Sequence, residues 1–511
     1  VFAKINAATA TTGTLTPTTA SPNLQNYNFT PQGGQVRRFL ALRFDANITK
    51  NHSVEVVLNR HKFVPAKDFL NAVEERFPGF PSYGQGSTRE STTVALRSTL
   101  KNNIINELRY ANSSGFVNFF PTLSPADFTF QGGYILGINA ISMGGSAITS
   151  ATALTNKQAR TSPTHDTSNT LTWIAGNHNI SLGGNFKVIK IDSFLTNPIV
   201  PSIGFGLDSS DSAFSMFSAT SLPGASPAQL TEARNLYAVL VGRVLSFGST
   251  AALTADGTYK VNSETEQKSK QYTYGIFAQD SWRIRQNLSV NFGVRWQPQT
   301  GFIVDSANFG KISKFADLWG VSGQGNLFKP GTLTGTVPTI IAAKIGEKAS
   351  NDDNDNFAPS FGVVYSPNFG ENGFLKTIFG GGGSSVLRAG YSVSYVREGT
   401  NLFLSILGSN PGATLPATRN LTNGNLTVGT NLRDAGNPNL TPGAFSATPT
   451  YPLTLTPANS INGFNPDVKT GAVHSFSFGY QRELDKNTVI EFRYVGNRGV
   501  GLQRQYNLNE F

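Results

Sequence analysis

The stretch NLSVNFGVRWQPQ (287–299) alternates almost without interruption. Leu288, Val290, Phe292, Val294 and Trp296 share one parity; Ser289, Asn291, Gly293, Arg295 and Gln297 share the other. Successive side chains of a strand point to opposite faces, so this segment has an apolar face and a polar, charged one. In a soluble sandwich the apolar face would meet a core and the polar face water. In a membrane-spanning barrel the apolar face would meet lipid and the polar face a wet lumen.

Composition favours the second environment. Charged residues make up 14% of the 511 residues, against about 25% in soluble domains. The chain holds 37 Phe, 15 Tyr and 52 Gly, yet its mean hydropathy is slightly negative. Strands with one apolar face reconcile those facts. No run of about 18 apolar residues occurs, which excludes a transmembrane helix but leaves a barrel open. Cysteine is absent, so no disulfide, iron–sulfur cluster or thiolate zinc site can form. The net charge of +10 reads as loop and lumen cations, with attraction for an anionic ligand or lipid surface as the sharper alternative. No Lys/Arg cluster of the nucleic-acid-binding kind appears, so no nucleic-acid partner is expected.

The alternation recurs in six pairs: 38–49 with 52–63, 91–100 with 104–114, 167–176 with 179–194, 271–284 with the opening strand, 358–367 with 385–398, and 472–484 with 488–502. Most pairs are joined by short Asn- or Lys-bearing turns of hairpin chemistry, such as Lys50-Asn51 and Asp485-Lys486-Asn487. The fifth is joined through a Gly-rich link containing GGGG (380–383), read as a flexible periplasmic turn. Between the pairs lie long connections, 64–90, 115–166, 195–270, 302–357 and 399–471. Loops beyond about 15 residues are uncommon in compact domains. Short turns at one rim and long loops at the other are the arrangement of an outer-membrane barrel. The expected fold is therefore all-β: an antiparallel transmembrane β-barrel with about twelve strands in this segment, short periplasmic turns and long extracellular loops. Residues 1–37 read as the tail of one loop, 38–502 as the strands with their loops, and 503–511 as the start of another loop. A helix is expected over 227–247, packing its own loop.

The polar parity nominates lumen-facing charges at Arg43, Glu55, Arg97, Glu107, Arg109, Arg295, Arg388, Glu491 and Arg493. Both signs coexist more cheaply in a hydrated lumen than in a dry core. Trp173, Trp282 and Trp296 are expected near the short-turn ends, as an interfacial girdle. Asp352, Asp353 and Asp355 of NDDNDN (351–356) supply oxygens suited to Ca²⁺, but lack the Gly and terminal Glu of an EF-hand; a solvated acidic segment is the favoured reading and no metal site is assigned. The five histidines are scattered without metal-ligand spacing and read as turn or lumen residues. GGGG opens no helix and precedes no Lys-Ser/Thr, and no Gly-x-Ser-x-Gly elbow occurs, so neither an enzyme nor a cofactor is expected.

YGIFAQDSWRIRQNLSVNFGVRWQ (274–297) resembles a barrel hairpin of TonB-dependent outer-membrane receptors, through its aromatic-x-Gln-Asp-x-Trp and Gly-x-Arg-aromatic runs. NDDNDNFAPSFGVVYSP (351–367) resembles the entry to a later strand of that family. VLRAGYSVSYVRE (386–398) and VIEFRYVGNRGVGLQRQYNLNE (489–510) look like its Oar-like branch. The resemblance covers the strands; the long loops match nothing nameable. It implies a barrel of about 22 strands around an N-terminal plug, coupled through a TonB box to an inner-membrane energy-transducing complex. Plug, TonB box and signal peptide are not found in this segment, so a portion of a longer receptor in the bacterial outer membrane is expected. The implied function is uptake of a bulky solute (glycan, peptide or metal chelate) recognised by loops 195–270, 302–357 and 399–471. The alternative is a surface scaffold or adhesin barrel with no transport. A secreted soluble β-protein is a third reading.

Overall fold

The computed structural model describes residues 6–508 except 8–11, 20, 31–33, 68–82, 122–134, 137–141, 144–145, 148–156, 197–201, 262, 328, 330, 370–372, 397–398, 423–425, 433–441 and 456–458. Large parts of the expected loops 64–90 and 115–166 thus lie outside the described residues, as do both extreme ends of the chain.

Twelve long strands build one antiparallel sheet. They are β1 (Gly34–Asn47), β2 (His52–Lys67), β3 (Tyr83–Lys101), β4 (Ile104–Pro121), β5 (Thr164–Ala175), β6 (His178–Thr196), β7 (Glu264–Arg285), β8 (Leu288–Trp296), β9 (Phe357–Tyr365), β10 (Ser385–Tyr395), β11 (Ala472–Asp485) and β12 (Thr488–Val500). Each pairs with its sequence neighbours, so the sheet is a simple meander from β12 to β1. A short strand, Gln158–Thr161, continues the β5 position between β4 and β6. Among the described residues the outer edges of β1 and β12 carry no partner strand. The six expected hairpins are all present, with short turns on one side of the sheet and long connections on the other.

Register places the expected faces side by side. Phe292, Phe361, Tyr391 and Phe476 are directly opposed across β8 to β11. All four are exposed, at 39–51%. Phe44, Val56, Val94 and Tyr110 make a second such row across β1 to β4. In water each exposed large side chain forgoes about 1.5–3 kcal/mol of burial. A hydrocarbon surround removes that penalty, and the barrel fold supplies it. The strands outrun their expected limits mainly at the long-loop ends, where polar residues such as those of Glu264–Lys270 continue the ladder beyond the apolar rows.

The buried hydrophobic clusters sit mainly elsewhere, in the long connections. Phe247, Phe309, Phe403, Ile203, Ile340 and Val304 are fully buried, and none lies in the twelve long strands. One cluster joins Ile203, Phe205, Ala238, Val244 and Phe247 to Leu426 and Leu432. A second joins Phe302, Val304, Phe309 and Ala343 to Phe403 and Leu407. Main-chain pairing ties the same loops together: Val244–Gly248 with Arg419–Asn420, Thr250–Leu253 with Thr414–Pro416, and Thr339–Ala342 with Leu453–Thr454. The expected helix is α1 (Pro227–Val241), started by a capping box between Ser226 and Gln229. It stops short of 247 because Gly242 takes φ +84°, a left-handed C-cap; Val244–Gly248 then becomes a strand. The helix packs on residues of 399–471 as well as on its own loop.

The two faces differ in what they tolerate. Phe478→Arg, in the middle of β11 on the apolar face, should cost about 2–4 kcal/mol in bilayer refolding. Ser477→Arg, one residue away on the polar face, should cost much less. Equal losses in a denaturant titration in lipid vesicles would contradict the assignment of faces.

Candidate functional site

The polar face of the sheet carries an ordered set of charges. Glu107 accepts from Arg97 and Arg109, each at 2.9 Å. Arg43 donates to Asp45 at 2.7 Å and to Glu55 on the neighbouring strand at 2.8 Å. Arg493 donates to Glu491 on its own strand. The arginines of these pairs are exposed while Glu55 and Glu107 are half-buried, so each pair contributes little to stability; their effect is a wet, mixed-charge wall. Among the described residues Arg295 has no carboxylate in hydrogen-bonding contact. Its guanidinium donates to Asn185 and lies 5.8 Å from the centre of the Phe277 ring. That reach requires Gly275, where a Cβ would collide with both Arg295 and Asn185. Asn185 also donates to Asp166, which pairs with Lys187 at 3.0 Å. Arg388 stands opposite Gly479, whose other neighbour is Arg493, and among the described residues it makes no ion pair.

All nine nominated charges therefore share one face, but they form separate groups. Arg97, Glu107 and Arg109 come together, as do Arg43 and Glu55, and Glu491 and Arg493; Arg295 and Arg388 stand apart. Asp166, Lys187 and the space-giving Gly275 belong to the same surface, and sequence reading did not nominate them as a site. Their signal was parity, since each falls on the polar register. On β9 to β11 the polar face is smooth: Ser360, Gly362, Gly390, Ser392, Ser475 and Ser477 line most of a hollow of about 420 Å³.

The tryptophans divide between rims. Trp173 and Trp282 lie beside the short turns, paired with Ile104 and His178. Trp296 does not: β8 runs away from its short turn, so its last residue reaches the long-loop end. There Trp296 donates to the Asn354 carbonyl at 2.7 Å and stacks on Phe357. The histidines also depart from the expectation. His165 and His474 hydrogen-bond Tyr110 and Tyr391 on the apolar parity, at 2.9 and 2.8 Å. Phenol partners satisfy one ring nitrogen of each imidazole where water is scarce. His178 pairs with Asp280 at 2.6 Å beside Trp282, close to a short turn.

The acidic run 351–356 is a clasp. Asp353 is buried and accepts from the Thr470 amide at 2.8 Å and from Lys469 at 3.1 Å. Lys469 also contacts Asp355 at 3.1 Å, and Asp352 is held by Lys348 at 2.7 Å. Gln299 and Asp353 exchange two main-chain hydrogen bonds of 2.9 Å. The three carboxylates nominated for Ca²⁺ are thus answered by lysines and amides, and among the described residues no group of three or more His, Asp or Glu side chains is placed to hold a metal. Burial pushes the Asp353 carboxyl up, but the hydrogen bonds from Thr470 and Lys469 outweigh it and hold the group well below the ordinary carboxylate range. In the loops, burial pushes the Tyr259 phenol up to about 12; its hydroxyl donates to the Gly412 carbonyl at 2.6 Å.

The family model of the outer membrane β-barrel domain matches residues 2–511. No curated protein matches the chain. Among solved structures it is similar to the ferric-catecholate import receptor Fiu of E. coli K12, at 13% identity and a TM-score of 0.39, covering 91% of this chain and 51% of that one. It is similar also to the siderophore receptor PiuA of Acinetobacter baumannii, at 11% identity and 0.38, covering 90% and 49%. A third is the ferripyoverdine receptor of Pseudomonas aeruginosa, at 9% and 0.37, covering 90% and 41%. The chain spans about half the length, or less, of these structures.

The clasp yields a pH prediction. A depressed carboxyl contributes stability that is present above its ordinary pKa near 4 and is lost as pH falls below that value. Limited proteolysis of 399–471 should therefore be slow at neutral pH and rise in acid. Asp353→Asn should be cut faster at neutral pH and lose most of the acid dependence. An Asp353→Asn profile identical to wild type would remove the clasp from the account.

Proposed function

We infer the function from one premise: the chain belongs to the outer membrane β-barrel domain family. We propose that it is the barrel portion of a TonB-dependent receptor that takes up a bulky solute across the bacterial outer membrane. The observation that carries this reading is the exposed, mixed-charge polar face behind a lipid-facing apolar one. A wall of that kind suits a wet pore or the flank of a polar plug. Arg295 and Arg388, without bound carboxylates, are placed to meet anionic groups of such a plug or of a passing solute. Open edges such as those of β1 and β12 are unfavourable in hydrocarbon, where every amide needs a partner. The sequence motifs of 274–297 and 351–367 support the TonB-dependent branch, and those of 386–398 and 489–510 the Oar-like one.

The folded loop body is the proposed capture element. Its loops 195–270, 302–357 and 399–471 share cores and strand pairings, so a ligand gripped by one would be felt by all three. Glycan, peptide and metal chelate all suit its mixture of Asn, Tyr, Phe and Arg. The reading assigns no catalysis. The second reading, a scaffold or adhesin, rests on the same loop body, which is large enough to act alone.

Retention of the intact protein on the immobilised periplasmic domain of TonB separates the two. The transporter reading predicts specific retention that increases when the solute is bound. No retention, together with no solute uptake by cells that carry the protein, would leave the scaffold reading.

A further inference from the structure

The link between β9 and β10, expected as a flexible glycine turn, contains a short helix, α2 (Phe374–Phe379). Six residues are too few for a helix to persist alone in water. This one is held by β11. The Tyr480 hydroxyl donates to the Ile378 carbonyl, and Arg482 donates to the carbonyls of Thr377 and of Ile378, the latter at 2.8 Å. The guanidinium thereby answers the last carbonyls and the negative end of the helix. Phe379 sets its ring edge-on to Tyr480, with centroids 5.8 Å apart.

The side of the sheet it binds is decisive. Tyr480 and Arg482 share the parity of Phe476 and Phe478, so α2 docks on the apolar face, at the short-turn end. While Phe379 faces the strand, Phe374, Leu375 and Ile378 are exposed, at 76%, 47% and 37%. Near them on the same rim, Leu484 and Ile490 are exposed at 48% and 51%. A folded protein in water would not build a docked, capped helix to display three large apolar side chains. The apolar rows of β8 to β12 are continuous with this surface, and their occupant in a membrane barrel is lipid.

We propose that α2 is an in-plane interfacial helix that sinks Phe374, Leu375 and Ile378 into the acyl–headgroup boundary of the phospholipid leaflet on the short-turn side. Helices of this type seat their apolar face about 5–10 Å into that boundary. Here the effect is to fix the depth and tilt of β9 to β11 against the bilayer. The proposal stands on the barrel fold and is independent of the transport reading.

The segment has no cysteine, so Phe374→Cys and Leu375→Cys each add one attachment point to it. Each is spin-labelled in the intact protein, reconstituted in vesicles of phosphatidylethanolamine and phosphatidylglycerol. Lys486→Cys, in the neighbouring short turn, is the aqueous reference. Collision with oxygen relative to a water-soluble nickel chelate should be several-fold higher at 374 and 375 than at 486. A nickel accessibility at 374 and 375 equal to that at 486 would place the helix in water. Low accessibility to both reagents would mean that protein covers it. Either result overturns the proposal. Because Phe374 and Leu375 are exposed, their replacement should leave folding intact; unchanged oxygen accessibility of a label at Phe478→Cys, on the apolar row, checks this.

Discussion

A strand in hydrocarbon must satisfy two demands at once: each amide needs a partner on the next strand, and alternate side chains must suit lipid and water. The meander of twelve strands answers both. Its ladders are continuous from β12 to β1, and its register stacks Phe292, Phe361, Tyr391 and Phe476 on one side while Arg97, Glu107 and Arg109 meet on the other. Glycine serves the same end. At Gly275 the missing side chain lets Arg295 lie across the sheet to Asn185. The apolar surface is thereby turned inside out relative to a soluble protein.

That inversion sends the conventional core to the loops. Three long connections pool their apolar residues into clusters around Phe247, Phe309 and Phe403. Fully burying each such ring contributes about 1.5–3 kcal/mol, enough together to give the loops a defined shape. The Asp353–Lys469 clasp anchors two of them where they re-enter β9 and β11.

The strands were legible because their signal is local: period two, bounded by Asn- and Lys-bearing turns. All six hairpins follow from it, and so does the common face of the nine charges. What parity does not specify is which charges meet. Arg388 and Arg493 sit on either side of Gly479 in register, a relation set by strand pairing. Trp296 lies at the long-loop rim rather than the expected short-turn rim, because the rim depends on strand direction and not on proximity to a turn in sequence. The Ca²⁺ suggestion for Asp352, Asp353 and Asp355 lost its basis in the fold, since Lys469 and Thr470, more than a hundred residues away, take the Asp353 oxygens. The helix in the glycine link was hidden for a similar reason: its stability comes from Tyr480 and Arg482.

Alternate residues of one strand face different solvents throughout this fold. Cysteine placed singly at 288, 289, 290, 291, 292, 294 and 295 of the intact protein in lipid vesicles, and treated with a water-soluble maleimide, tests this directly. Labelling should be fast at Ser289, Asn291 and Arg295 and slow at Leu288, Val290, Phe292 and Val294. Uniform labelling along the strand, or protection of the polar set, would contradict it.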